Sequence, residues 1–195
     1  MLLRTGRALL VPLIGLLAAA CPGTPEAPRC NTVAGSLSQP VALQLIGVAE
    51  NGSPIELHDG DALPLLVPPQ GGSVLYAGAR ATNLRICGVT MSAHLVDPNG
   101  GGALSNLDAR SSDLTEEHGN FHGSPTFHLT SDLPNIPACP DALGKGLDGK
   151  DAILEVTVKD YEGHTGKASV HVVPTCPASN KLCTCVCGPN YHGGC

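Results

Sequence analysis

The chain has 195 residues, room for one ordinary domain with short attachments. Gly and Pro supply 24 and 17 of them while charged residues make up 14%, which disfavours long charged helices and coiled coils and favours turn-rich β-structure. Three Tyr, two Phe and no Trp are too few to stack single-stranded bases, and the formal charge of −6 also argues against nucleic acid as a partner.

The chain opens with Arg4 and Arg7, a 13-residue apolar run from Ala8 to Ala20, and then Cys21-Pro22-Gly23. A basic start and a short apolar stretch predict a secretory signal over residues 1–20, because a spanning helix needs about 20 apolar residues. Leu17-Ala18-Ala19-Ala20-Cys21 resembles the bacterial lipobox. The resemblance implies cleavage before Cys21, acylation of that cysteine with palmitate-like chains, and a lipoprotein of the cell envelope held on the lipid bilayer. The alternative is an A-x-A cleavage site at Ala18 and Ala20, with Cys21 an ordinary cysteine. Loss of residues 1–20 leaves nine basic against seventeen acidic residues, a formal charge of about −8 that repels anionic headgroups, so lipid must do the attaching.

Cysteine parity is an independent argument. Exported cysteines usually pair, and the chain has nine. Setting Cys21 aside leaves Cys30, Cys87, Cys139, Cys176, Cys183, Cys185, Cys187 and Cys195, enough for four disulfides. Three of these precede residue 140 and five follow residue 175, so full pairing requires an odd number of bridges between body and tail.

Residues 21–39, rich in Pro, Thr, Ser, Gly and Ala, predict a flexible tether from the acylated cysteine. Residues 41–49 read as a first strand ended by the turn signal at 50–54. Short extended pieces follow at 55–58 and 63–67, limited by Pro64, Pro68 and Pro69. Ser73 to Thr82 is a strand, and Val89 to Val96 alternates with Val89, Met91, Ala93 and Leu95 on one face. Residues 103–109 are expected to return as its partner. A long loop is expected over 110–126, a strand over 127–133 and another loop over 134–150. Ala152–Lys159 and Lys167–Val173, joined by a Gly-bearing turn, form the clearest β-hairpin.

These runs predict an all-β, antiparallel sandwich of about seven to nine strands over residues 40–175, followed by a disulfide-rich tail at 176–195. The stretch Val156-Thr-Val158-Lys-Asp160-Tyr-Glu-Gly163 resembles the last hairpin of bacterial immunoglobulin-like envelope domains. That resemblance implies an immunoglobulin-like sandwich serving adhesion, scaffolding or binding of another envelope protein.

Two clusters suit metal. Glu116, Glu117, His118, His122 and His128 lie within thirteen residues and have the donor chemistry for Zn²⁺ or Cu²⁺. In the tail, Cys183, Cys185, Cys187, Cys195 and His192 would furnish a thiolate set for Zn²⁺ or Cu⁺, against the default of disulfides. Gly144-Lys-Gly146-Leu-Asp-Gly149 matches a phosphate-loop pattern but precedes a strand instead of linking strand to helix, so it is read as a loop. No G-x-S-x-G or H-E-x-x-H is present. The expected function is a non-enzymatic, membrane-anchored binding or scaffolding module without a cofactor, and the alternative is a periplasmic Zn or Cu binder.

Overall fold

The structure is a computed structural model describing residues 31–68, 72–117, 121–123, 133–139, 146–188 and 195. The first element, β1 (Val33–Ala34), lies inside the segment expected to be tether. Ala34 is fully buried, so the folded body starts before residue 40. Two paired residues are too short a signal for composition to reveal.

β2 (Ala42–Val48) turns through Gly52, at φ 82°, into β3 (Pro54–Glu56). β4 (Asp61–Pro64) lies earlier than the expected 63–67, because the chain leaves its ladder at Pro64 and Leu66 makes only an isolated bridge to Val74. β5 (Ser73–Thr82) has the expected bounds. Asn83, in the left-handed region at φ 65°, then turns the chain into β6 (Leu84–Arg85), which pairs with β1. The Asn83 side chain accepts from Ser36 N at 3.0 Å and donates to Pro40 O at 2.8 Å, which fastens the entering segment to the turn.

β7 (Val89–Val96) buries Val89, Met91, Ala93 and Leu95, the face its alternation predicts. Its partner is β8 (Asp108–Ser112), which shares residues 108–109 with the expected 103–109, while earlier in that range Ala103 makes an isolated bridge to Val96. The expected loop over 110–126 also contains β9 (Thr115–Glu117) and β10 (Phe121–Gly123), paired as a small hairpin. β11 (Asn135–Cys139) occupies the start of the other expected loop. The strand expected over 127–133 lies outside the described residues except for Leu133, a bend. Pro137 obscured β11. On an edge strand, beside a register shift, its missing N–H is tolerated. β12 (Ala152–Lys159) and β13 (Thr165–Thr175) form the predicted hairpin, and the chain then enters α1 (Lys181–Cys187).

A four-stranded sheet runs β11-β5-β2-β3 and a five-stranded sheet β4-β13-β12-β7-β8. Every pairing is antiparallel except β4 along β13. Ile46, Leu75 and Ile136 of the first sheet and Leu63, Leu95 and Leu154 of the second are fully buried in one core. Gly78 is needed where the sheets meet, since a Cβ there would lie 2.5 Å from Met91 Sδ and 2.7 Å from Leu133 Cδ2. Methionine fills the gap that an aromatic-poor core leaves. Among the described residues no helix is long and apolar enough to cross a membrane.

Candidate functional site

The chemistry-bearing groups gather at the end of the body where β11 and β13 finish. After Thr175 the chain passes Cys176, turns, and starts α1 with Asn180, whose Oδ1 accepts from Cys183 N at 3.0 Å as an N-cap. Cys183 and Cys187 are four apart, so they share the helix face turned inward, and they are 1% and 0% exposed. Cys185 points the other way and is exposed.

This division decides the pairing. Cys187 reaches Cys139 at the end of β11, with Cα atoms 5.1 Å apart, and Cys183 reaches Cys176, with Cα atoms 5.6 Å apart. Cys185 bonds Cys195 on the exposed side. Among the bridges of the described residues, Cys139–Cys187 crosses between body and tail. The two inner bridges touch: Cys183 Sγ is 3.8 Å from Cys187 Sγ, and the Sγ atoms of Cys176, Cys183 and Cys187 lie within 4.8 Å of one another.

The loop Gly146–Gly149 seats this end. A Cβ on Gly146 would lie 2.5 Å from the Gly188 carbonyl oxygen, so glycine lets the loop lie against the end of α1. Leu147 is fully buried beneath it. Asp148 N donates to Cys187 O at 3.1 Å while its carboxylate accepts from Cys176 N at 2.8 Å. Sequence reading took this stretch as a plain loop and missed Asp148. The only available signal was an acidic residue between two glycines.

The tail cysteines therefore do not converge as a set on one ion: Cys185 and Cys195 bond each other on the exposed side, Cys183 and Cys187 face inward, and His192 lies outside the described residues. Of the histidine cluster, His118 and His128 also lie outside them. Glu116 and His122 are backbone partners across the β9–β10 hairpin, and Glu117 pairs with Phe121.

The remaining described histidines each meet a carboxylate: His58 with Asp61 at 3.5 Å, His94 with Glu155 at 3.4 Å, His164 with Asp160 at 2.8 Å and His171 with Asp151 at 3.4 Å. His94, Glu155 and Ser169 form one cross-strand row and Ser92, Thr157 and Lys167 the next. His94, Glu155, Thr157, Lys167 and Ser169 of these rows line an open groove of about 420 Å³ on the larger sheet.

At the far end of the β12–β13 hairpin, the motif Asp160 is fully buried and saturated. Its Oδ1 accepts from Glu162 N at 3.0 Å and His164 N at 2.9 Å, and its Oδ2 from Arg85 N at 2.9 Å and His164 Nδ1 at 2.8 Å. Burial alone pushes its carboxyl pKa up, but these donors outweigh it and hold the group below the ordinary carboxylate value. Arg85 Nε also reaches Glu162 at 2.8 Å, tying β6 to the turn a second time. No family model matches the chain, and comparison with curated proteins gave no match.

Proposed function

We propose that the protein is a non-enzymatic, membrane-anchored envelope lipoprotein, an immunoglobulin-like module presented on acylated Cys21 to bind or scaffold another envelope protein. The observation that carries this reading is the cysteine count. Cys139, Cys176, Cys183, Cys185, Cys187 and Cys195 form three bridges, and Cys87 is disulfide-bonded as well. Of nine cysteines, only Cys21 and Cys30 remain as its partner. Val33 lies opposite Arg85, and Thr32 O accepts from Ile86 N at 3.2 Å. Continued by two residues, that antiparallel register sets Asn31 opposite Cys87, and Cys30 is the sequence neighbour of Asn31 while Cys21 is ten residues away. Cys21 is then the odd cysteine, as a lipid attachment site requires.

The strand order supports the immunoglobulin-like part. β2, β5 and β11 take the places of strands A, B and E, and β8, β7, β12 and β13 those of C′, C, F and G. β3 beside A and the lack of a D strand among the described residues are departures. The groove over His94, Glu155 and Lys167 offers a charged, hydrogen-bonding surface to a partner.

Metabolic labelling with an alkyne fatty acid tests the anchor. The wild-type chain is expected to be labelled and to partition into detergent, and a Cys21→Ala chain to lose the label completely. An unlabelled wild-type chain with an intact leader overturns the reading. Crosslinking in cells is expected to return a heteromeric adduct of the labelled protein.

A second reading, a periplasmic Zn or Cu binder, is favoured by one observation: Glu116 and His122 occupy opposed positions on the paired strands β9 and β10, with His118 between them in the sequence and His128 after them. Elemental analysis of tag-free protein decides it. About one metal per chain, lost on His122→Ala, supports a site of this kind, and its absence dismisses it.

A further inference from the structure

We propose that the two buried bridges form a thiol–disulfide relay, in which an external dithiol that opens Cys176–Cys183 thereby breaks Cys139–Cys187 and unstaples α1 from β11. The entry point follows from exposure. Within the two buried bridges Cys176 is 9% exposed, against 4% for Cys139, 1% for Cys183 and 0% for Cys187, so a thiolate attacking this pair enters at Cys176, while the exposed Cys185–Cys195 bridge is reduced separately. The direction of transfer follows from the sulfur positions. Cys183 Sγ lies 3.8 Å from Cys187 Sγ, and Cys139 falls outside the group whose sulfurs lie within 4.8 Å of one another.

A dithiol thiolate attacks Cys176 Sγ, forming a mixed disulfide and expelling Cys183 as a thiolate. The second thiol of the reagent, as its thiolate, attacks the reagent sulfur of that mixed disulfide, which oxidises the reagent to its disulfide and releases the Cys176 thiolate. Cys183 then attacks Cys187 Sγ. The Cys183–Cys187 bond forms, the Cys139–Cys187 bond breaks, and its electron pair leaves on Cys139, which takes a proton. Two protein disulfides become one, with thiols at Cys176 and Cys139, and one dithiol has been oxidised. Because Cβ atoms four residues apart on a helix lie about 5–6 Å apart and a disulfide needs about 3.5–4.5 Å, α1 must distort to accept the new bond. α1 has only seven residues, so little helix is lost.

This inference does not depend on Cys21, and its test uses the full native chain. Dithiothreitol is applied at limiting dose, and the products are acid-quenched, trapped with N-ethylmaleimide and digested with trypsin. In the sequence, Cys139 lies in tryptic peptide 111–145, Cys176 in 168–181, and Cys183, Cys185, Cys187 and Cys195 in 182–195. Reduction of the exposed Cys185–Cys195 bridge is read separately from its own label, and among chains reduced at the buried pair the expected two-electron product carries label on Cys139 and Cys176 and joins Cys183 to Cys187 within peptide 182–195. Label on Cys176 and Cys183 with Cys139–Cys187 intact overturns the relay, as does label on Cys139 and Cys187. In a Cys176→Ala/Cys183→Ala variant, loss of the Cys139–Cys187 linkage is expected to slow at least about tenfold, the reagent having lost its entry point. An unchanged rate refutes the relay, and the wild-type map stands alone if that variant does not fold.

Discussion

Replacing Asp160 with alanine is expected to cost about 3–5 kcal/mol, the range for removing one partner from a buried, fully hydrogen-bonded ionic group. Three backbone N–H groups, from Arg85, Glu162 and His164, lose their acceptor together, and His164 Nδ1 loses its partner. The damage is not confined to one turn, because the Arg85 bond joins the β12–β13 hairpin to β6 and through it to β1. Asp160→Asn separates charge from shape. Only one of its two head atoms accepts, so either Arg85 N or the pair from Glu162 and His164 would face an amide donor. Urea midpoints under non-reducing conditions measure both variants.

The same residue gives the acid response its sign. The folded pKa of Asp160 lies below its ordinary value, so the unfolded chain binds the proton more readily. The stability contributed by the ionised group is fully present above the unfolded carboxylate value of about 3.9 and is lost as pH falls through the lower folded value. Wild type is therefore expected to lose more stability than Asp160→Asn between pH 5 and pH 2, the two curves converging at the acid end. Parallel curves would show that the donors around Asp160 do not favour its charged form.

Asp160 also shows what the sequence could disclose. V-x-V-x-D-x-x-G announced a hairpin because β12 buries alternate residues and Gly163 takes φ 97°, two requirements that leave marks on residue type. β7 was equally plain, with one face buried and Thr90, Ser92 and His94 of the other half-buried. β8 was misplaced because it is an edge strand of Asp, Ala, Arg and Ser, where no apolar period is needed. β11 was hidden by Pro137, and β1 by its brevity. The tail needed three-dimensional information. Spacing in Cys183-x-Cys185-x-Cys187 allows many pairings, and only the wrapping of α1 puts Cys183 and Cys187 inward and Cys185 outward. Asp148 escaped because its partners, Cys176 N and Cys187 O, are 28 and 39 residues away.

Removing the bridge between body and tail is the second large effect. Cys139 and Cys187 are 48 residues apart in sequence, and closing a loop of that size restricts the unfolded chain by about 4 kcal/mol on the chain-entropy model. Cys176 and Cys183 are only 7 apart, for which the same relation gives about 2.5 kcal/mol. A Cys139→Ala/Cys187→Ala variant is therefore expected to lose more stability than Cys176→Ala/Cys183→Ala, although both bridges are buried within a few ångströms of each other and delete the same atoms. Local packing loss is similar at the two sites, so the difference isolates loop length. Guanidinium unfolding of the two double variants, without reductant, reads it directly. A larger loss from the short bridge would mean that native-state contacts around Cys176, including its bond to Asp148, outweigh the constraint on the unfolded chain. In that case the tail is held by its packing against residues 146–149, and Cys139–Cys187 only reinforces it.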